Sequence, residues 1–275
     1  MARTHDVRLA YIELFAFAND GRYARRVVDA GAAGVVVDWE RRGKRRRQAG
    51  ADTQINTHTP ADLAAVRAAT RGRVVCRVNR WGPWSPAEID LAAGLGADEL
   101  LLPLVRRPGE VDAALHATAG RCRLGILVET TDAVDAVDEL ARRALSRVYV
   151  GLNDLMIDRR SQCLFEPMVD GTVDRVAATV TGRGLPFGVA GLTVPEGGRP
   201  VPSRLLMGAL ARVGASFTFL RRSFAEDTVG RDLAVEVPRI LAAVDEARRR
   251  PAAQVDADHA ALAAAAGLVG AHRAG

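Results

Sequence analysis

Residues 99–130 read ELLLPLVRRPGEVDAALHATAGRCRLGILVET, and this stretch decides the fold. Its two ends, ELLLPLV and RLGILVET, are short apolar runs typical of buried strands. Between them, PGEVDAALHAT has a helical pattern with a proline in its first turn, where the missing N–H costs nothing. A strand, a helix and a second strand in this order predict two parallel strands joined by a covering helix.

The same alternation runs along the whole chain. Strands are predicted at residues 9–16, 34–40, 74–79, 99–105, 123–130, 147–152, 187–192 and 216–221. Helical patterns lie between them, at residues 60–70, 86–94, 108–118, 131–143, 169–181 and 202–213. Eight strands with intervening helices fit a closed (β/α)8 barrel, the TIM barrel. An open doubly wound sheet usually has a GxGxxG turn after its first strand, and this sequence has none.

The length of the chain fits a single barrel. It has 275 residues, and an α/β barrel typically needs about 250. We therefore predict one barrel domain over residues 1–250. Residues 251–275 are an alanine-rich tail, for which the sequence allows either a final helix or a frayed end.

Composition and charge narrow the class of protein. Hydrophobic residues make up 48% and charged residues 26% of the chain, which excludes a wholly disordered protein. No apolar run reaches about 18 residues and the first eight residues lack a secretory signal, so we expect a cytoplasmic protein without a membrane partner. The net charge of +5 would admit nucleic acid, but the excess is arginine spread along the chain, and we expect no nucleic-acid partner.

Charged residues interrupt the predicted strands near their C-terminal ends. Asp38 and Glu40 end the second strand, Arg77 lies in the third, Glu129 ends the fifth and Asp154 follows the sixth. In an α/β barrel these strand ends meet at one mouth, which carries the active site. Each carboxylate could instead cap the next helix, but several charges buried together are costly unless they pair or bind a metal. The sequence therefore predicts a joint site.

The types of residue suggest which of them bind a metal and which bind the substrate. Glu129 and Asp154 supply hard oxygen ligands from adjacent strands, which suits Mg²⁺ or Mn²⁺ completed by water and substrate. Arg77 is suited to clamp a substrate carboxylate through two hydrogen bonds, or to pair with the acidic residues of the second strand. Lys44, the one lysine, lies within RRGKRRR and is expected to be solvated, which disfavours catalysis through a Schiff base.

Five segments in order, GVVVDWE, VVCRVN, LLPLVRRPGEV, LGILVET and VYVGLNDL, resemble the HpcH/HpaI aldolase and citrate lyase family over roughly residues 10–225. The resemblance implies a TIM barrel of the phosphoenolpyruvate/pyruvate type. It also implies that Glu129 and Asp154 bind Mg²⁺, with Mn²⁺ or Co²⁺ as substitutes. The substrate-binding residues that it implies are Arg77, Gly151, Leu152 and Asn153.

One position departs from the family pattern. The pyruvate aldolases of the family carry a histidine directly after the D-x-E of the second strand, where this chain has Arg41. The citrate lyase branch has an acidic residue there followed by basic ones, and ERRGKRRR matches neither branch. The general base therefore stays open. The catalytic candidates are Arg77, Asp38 and Glu40, with metal-bound water near Glu40 as a possible base, and Asp52 or His58 in the following loop as further proton carriers.

The resemblance implies a class II aldolase. Its substrates would be a 2-oxo acid such as pyruvate and an aldehyde, joined or released through a metal-stabilised enolate to form or cleave a 4-hydroxy-2-oxo acid. The alternative within the family is a CoA-thioester lyase of the citryl-CoA or malyl-CoA type. A basic nucleic-acid-binding protein is a remote alternative, because it leaves the strand-end carboxylates unexplained.

Two further expectations concern the eighth strand and the assembly. In FTFLRRSF, strand alternation allows only one of Arg221 and Arg222 to point inward, and we expect Arg221 to bind a distal substrate carboxylate. The resemblance implies a homo-oligomer, a trimer or hexamer, in which residues 227–250 pack on another subunit.

Overall fold

The computed structural model describes residues 12–43 and 57–272, with side chains described up to residue 267. The strands are β1 Glu13–Phe17, β2 Gly34–Asp38, β3 Arg73–Arg77, β4 Glu99–Leu102, β5 Arg123–Val128, β6 Val148–Val150, β7 Phe187–Leu192 and β8 Phe217–Leu220. The helices are α1 Gly21–Asp29, α2 Pro60–Ala69, α3 Ser85–Gly94, α4 Pro108–Thr118, α5 Thr131–Asp135, α6 Val137–Leu140, α7 Leu152–Arg159, α8 Glu166–Val169, α9 Thr172–Thr181, α10 Ser203–Arg212, α11 Arg222–Asp227, α12 Leu233–Arg248 and α13 Ala252–His272.

The eight strands close into a parallel barrel in sequence order, and β1 pairs with β8 to complete it. The predicted TIM barrel is therefore confirmed. Alternate residues of the strands point inward and fill the barrel with one cluster of large apolar side chains. Its members are Phe15, Val36, Val75, Leu101, Leu127, Tyr149, Phe217 and Phe219.

Charged side chains close the N-terminal end of the barrel. Arg147 is buried and its Nε donates to Glu99 Oε1 at 2.7 Å, while its guanidinium lies over the rings of Phe15 and Phe217. Gly125 leaves room for this arginine, because a Cβ there would lie 2.7 Å from Arg147 Cγ. Since this end is filled, the C-terminal strand ends are the side of the barrel that is left for a ligand.

Two predicted helices are each divided into two in the structure, and all predicted strands except that at residues 187–192 have different limits. Residues 131–143 hold α5 and α6, because Ala136 leaves the helical region at φ −86° and ψ 7°. Residues 169–181 are divided between α8 and α9 by Gly171, which has φ +85°. β2 and β4 end at residues 38 and 102, before their predicted ends, and Leu104 beyond β4 has a left-handed φ of 53°.

The alanine-rich tail forms the helix α13, which packs on α8 and α10 of the same chain. Leu262 and Ala266 of this helix are buried in that contact. α12 packs on α1 and α10, so it belongs to the outer layer of its own barrel. Among the helices of the described ranges, none combines the length and hydropathy that a membrane span requires.

Candidate active site

A bidentate ion pair joins β2 and β3 at the C-terminal end of the barrel. The strand register sets Asp38 opposite Arg77, whose Nε and Nη2 donate to the two Asp38 carboxylate oxygens at 2.8 and 2.7 Å. Asp38 is fully buried, and the Arg77 side chain is 15% exposed. Burial alone would lower the pKa of Arg77, but the charges of Asp38 and Glu40 outweigh it and raise that pKa. Arg77 is therefore a fixed cation with a fixed orientation.

Backbone hydrogen bonds shape the turn after β2. The Glu40 N–H donates to Asp38 Oδ1 at 3.1 Å, and Glu40 Oε2 lies 3.6 Å from Arg77 Nε. The Asp38 N–H donates to His58 Nδ1 at 3.0 Å, which holds this buried histidine at the mouth. A neutral imidazole that accepts at Nδ1 carries its proton on Nε2. Of the other loop residues considered, Lys44 and Asp52 lie outside the described residues.

Glu129 is buried directly after β5, and two backbone features fix its carboxylate. The Leu104 N–H donates to Glu129 Oε2 at 3.2 Å, an interaction that the left-handed turn at Leu104 makes possible. On the other side lies Gly151, where a Cβ would sit only 2.3 Å from Glu129 Oε1. The absence of a side chain at Gly151 thus leaves the space that the Glu129 carboxylate occupies.

Asp154 lies in the first turn of α7, buried near Glu129. The pKa of Glu129 is raised well above its usual value, first by burial and then by the charges of Asp154 and Glu40. Arg77 and the Leu104 N–H act in the opposite direction without cancelling this rise. The ionised form of Glu129 is therefore disfavoured at this position unless a cation in addition to Arg77 lies close to it.

The chemistry of these residues fits a hard divalent cation. Mg²⁺ in proteins is held by one or two carboxylates, and water and substrate complete its octahedron. Glu129 and Asp154 supply two carboxylates, and a cation between them would favour their ionised forms against the burial and the mutual repulsion that raise the pKa of Glu129. Within the described ranges, no cluster of three or more histidine, cysteine or acidic side chains is arranged to hold a metal. The described residues therefore fit a metal site with two carboxylate ligands.

A cavity of about 340 Å³ opens over this site. Its lining includes every residue that the sequence assigned to metal or substrate binding, namely Arg77, Glu129, Gly151, Leu152, Asn153, Asp154 and Arg221. Asp38 and Glu40, expected to be catalytic, are not among its described lining residues. They reach the cavity only through Arg77, which they hold in place. A second cavity, of about 470 Å³, shares Arg77 and Arg221 with the first and includes His58.

Sequence reasoning missed several residues of the cavity wall. Tyr149 lies inside the barrel below Gly151, and its hydroxyl donates to the Ala190 carbonyl at 2.5 Å. Strand alternation in VYVGLND would have placed it there, two residues before Gly151. Leu164 and Phe165 line the cavity from the segment before α8, and no periodic pattern in that segment marks them.

The outcome at the eighth strand differs from the expectation that one arginine points inward. Arg221 and Arg222 both line the cavity. β8 ends at Leu220 and Arg221 is the N-cap of α11, so strand alternation no longer applies at Arg222. Arg221 is half-buried and Arg222 is exposed at the rim.

No protein-family model matches the chain, and no curated protein matches its sequence. Solved structures do match its fold. The HpcH/HpaI aldolase from Desulfitobacterium hafniense DCB-2 superposes with a TM-score of 0.61 at 14% identity, over 88% of this chain and 94% of that one. RipC from Yersinia pestis gives 0.56 at 13% identity, over 89% and 98%. The citrate synthase SbnG gives 0.59 at 17% identity, over 84% and 94%.

These superpositions define the class of the protein at the level of fold. The chain is a TIM barrel that matches the structure of an HpcH/HpaI aldolase, as the sequence resemblance implied. The match covers nearly the whole barrel in each case, so the likeness applies to the complete fold and not to a part of it.

Proposed function

We propose that this chain is a divalent-metal-dependent carbon–carbon lyase that forms or cleaves a 4-hydroxy-2-oxo acid through the enolate of pyruvate. The proposal is based on one observation. Two buried carboxylates, Glu129 and Asp154, share one cavity with the oriented cation Arg77 at the C-terminal end of a barrel. The likeness of the fold to that of an aldolase supports the same reading.

Arg77 orients the 2-oxo acid in this proposal. Asp38 holds Nε and Nη2 of its guanidinium, so the side chain meets the substrate without first losing rotational freedom. Its positive charge attracts a carboxylate or carbonyl oxygen, and Asp38 acts as the positioning residue behind it. The N–H groups at the start of α7, at Leu152 and Asn153, have no partner within the helix and would seat the carboxylate.

A divalent cation held by Glu129 and Asp154 would supply Lewis-acid stabilisation of the charge that develops on the keto oxygen. The surrounding residues exclude water from that charge. Phe17, Leu127 and Phe219 line the inner part of the cavity, and an apolar wall of this kind strengthens electrostatic interactions within it.

Glu40 and His58, near the turn after β2, are placed differently with respect to the cavities. Glu40 lies 3.6 Å from Arg77 Nε and is not among the described residues that line either cavity, so it would act on the substrate only by holding Arg77. His58 lines the adjoining cavity, and its Nε2–H can donate a hydrogen bond to the alkoxide that develops when a carbon–carbon bond forms. Arg41, at the place of the family histidine, instead donates its backbone N–H to Asn79 Oδ1 at 2.9 Å.

A second candidate function is a CoA-thioester lyase, which the surface beside the mouth favours. Arg41, Arg42, Trp39 and Trp84 line a cavity of about 490 Å³ there, and the Arg42 guanidinium lies 4.6 Å from the centre of the Trp84 ring. Arginine and tryptophan together suit an adenine ring and its phosphates.

Hydrogen–deuterium exchange separates the two candidates, because it reports enolisation before any acceptor is known. The protein is incubated in D2O with Mn²⁺ and either pyruvate or acetyl-CoA, and loss of the methyl proton signal is followed by NMR. We expect exchange of pyruvate and none of acetyl-CoA. Exchange of acetyl-CoA alone would replace the aldolase proposal with the thioester lyase.

A further inference from the structure

Three consecutive residues after β4, Leu104, Val105 and Arg106, contact the elements that bear the two proposed metal carboxylates. The Leu104 N–H donates to Glu129 Oε2 at 3.2 Å, and the Val105 carbonyl accepts from Thr130 Oγ1 at 2.6 Å. Thr130 is fully buried and directly follows Glu129. The backbone of this segment is therefore fixed against the end of β5, where Glu129 lies.

The Arg106 side chain extends this connection to α7. Its Nη1 donates to Asp132 Oδ2 at 2.7 Å, and its Nη2 donates to Asp158 Oδ1 at 2.5 Å. Asp132 lies in α5, three residues after Glu129. Asp158 lies in α7, four residues after Asp154, which is about one helical turn. One guanidinium therefore joins the chain that follows Glu129 to the helix that bears Asp154.

Further hydrogen bonds hold this connection in one arrangement. Asp158 Oδ2 accepts from the Thr131 N–H at 2.8 Å, so both of its carboxylate oxygens are engaged. The Arg106 N–H donates to Glu110 Oε2 of α4 at 2.8 Å. The Arg106 side chain is 48% exposed, and an exposed ion pair contributes little to the stability of a fold. We therefore expect these contacts to fix local geometry and not to decide whether the barrel folds.

The separation of two carboxylates affects which cation they bind. Mg²⁺ requires a nearly octahedral set of oxygens at about 2.0–2.1 Å, whereas Ca²⁺ accepts about six to eight oxygens at about 2.3–2.6 Å in a flexible arrangement. Two carboxylates on firmly joined elements favour the small ion, because the site cannot expand around the large one. Arg106 is not among the described residues that line the 340 Å³ cavity, so it acts on this site only through the elements that it joins.

We propose that Arg106 is a positioning residue that makes the site select a small divalent cation over Ca²⁺, by fixing the separation of Glu129 and Asp154. The inference rests on the proposed function, since it takes these two carboxylates as the metal ligands. It adds the size class of the ion and the residue on which that selection depends.

The test measures the preference for Mg²⁺ over Ca²⁺ in the absence of substrate. Mn²⁺ is the probe, because the EPR signal of the free ion gives its Kd, and Mg²⁺ or Ca²⁺ then displaces it in competition. We expect the wild type to bind Mg²⁺ more tightly than Ca²⁺. Arg106→Gln should reduce this preference, the ratio of the two Kd values, about tenfold, as in the loss of a residue that supports a metal ligand.

A second substitution separates geometry from charge. Arg106→Gln removes a positive charge near the site, which by itself would strengthen the binding of both ions. Asp158→Asn removes a negative charge, which by itself would weaken the binding of both, while its amide oxygen can still accept from the Thr131 N–H. The ratio of the two Kd values cancels these effects, because both ions carry the same charge. We expect the ratio to fall in both variants.

Arg121→Gln is the matched control. The Arg121 side chain is 44% exposed and its Nη1 pairs with Asp90. It lies just before β5, at the N-terminal end of the barrel and away from the proposed metal site. The substitution removes the same charge and an ion pair of the same kind, so the ratio should stay at its wild-type value. Far-UV circular dichroism checks the fold of each variant.

The outcomes distinguish this inference from the function on which it rests. A wild type that binds Mn²⁺ but does not prefer Mg²⁺ to Ca²⁺ overturns the inference and leaves the lyase proposal standing. So does a ratio that is unchanged in Arg106→Gln or Asp158→Asn, or one that falls equally in Arg121→Gln. Absence of Mn²⁺ binding overturns the metal-dependent lyase and the inference together. A ratio that falls in the first two variants and is kept in the third is the result that we expect.

Discussion

At the scale of single residues, Gly151 determines where the Glu129 carboxylate lies. A Cβ at residue 151 would sit 2.3 Å from Oε1 and 2.5 Å from Cγ of Glu129. Both separations are far shorter than van der Waals contact, and neither the backbone of β5 nor the start of α7 can move away easily. A side chain here would therefore displace one of the two carboxylates assigned to the metal.

We predict that Gly151→Ala weakens Mn²⁺ binding at least tenfold without unfolding the barrel, in the range seen when the support of a metal ligand is lost. Isothermal titration measures the affinity, and far-UV circular dichroism checks the fold. Gly109→Ala is the control, because a Cβ there meets no atom within 4 Å. Equal Mn²⁺ affinity in both variants would show that Glu129 does not depend on the space at Gly151.

The sequence predicted which residues meet at the mouth, and it gave a pairing of Arg77 with Asp38 or Glu40 as one of two interpretations without choosing between the two acidic residues. Strand ends of a parallel barrel converge, so Asp38, Arg77, Glu129 and Asp154 could be placed together from their positions alone. That Arg77 turns to Asp38 follows from the β2–β3 register, which is a property of the folded sheet. The hydrogen bond from the Leu104 N–H to Glu129 Oε2 could not be predicted from the sequence, because a leucine does not indicate a left-handed turn.

At the scale of elements, α13 supports one wall of the cavity. Leu262 is fully buried, and Cys163 Sγ donates to the Ala266 carbonyl at 3.3 Å. Cys163 directly precedes Leu164 and Phe165, which line the cavity. The C-terminal helix thus holds the segment before α8 against the barrel.

We predict that Leu262→Ala lowers the free energy of unfolding by about 2–5 kcal/mol, the cost of removing a fully buried leucine side chain. Urea denaturation provides the measurement. Leu91→Ala makes the same change at a residue that is 45% exposed, and it should cost much less. A Leu262 variant as stable as the Leu91 variant would mean that α13 does not pack on the barrel in solution.

The alternation of elements was predictable, whereas the ends of several elements were not. Buried β-branched runs identify the strands because both faces of a barrel strand are covered. The break at Gly171 depends on a local left-handed backbone, and the end of β8 depends on Arg221 capping α11. The sequence did not decide between a helix and a frayed end for the tail. Ala266, which is buried, is the same residue type as the exposed alanines around it, so the pattern does not show which face of a helix would be buried.

At the scale of the whole molecule, ionised aspartates link helices around the C-terminal half of the barrel. Asp174 accepts two hydrogen bonds from Arg212, which lower its pKa and join α9 to α10. Burial would raise the pKa of Asp158, but the Thr131 N–H and Arg106 outweigh it and lower that pKa. Asp158 therefore ties α7 to the start of α5, near the proposed metal site.

We predict that the melting temperature falls as the pH decreases below about 4. These aspartates have pKa values below the unfolded value of about 3.9, so their stabilisation is complete above that pH and is lost as the pH falls through the folded values. Calorimetry from pH 7 to pH 2.5 measures the effect. Asp174→Asn should lose part of this dependence, and Asp135→Asn, at an exposed position, should keep it. An identical pH dependence in both variants would contradict the role given to Asp174.

The barrel as a whole leaves its C-terminal end open to a ligand, since Arg147 and its partners fill the N-terminal end and the carboxylates lie at the C-terminal end. The most direct test of the account is the exchange of pyruvate methyl protons in D2O, measured for the wild type and for Glu129→Gln with Mn²⁺ and with EDTA. We predict exchange only in the wild type with Mn²⁺. Exchange that persists in Glu129→Gln, or with EDTA, would contradict a metal-dependent enolisation at Glu129 and Asp154.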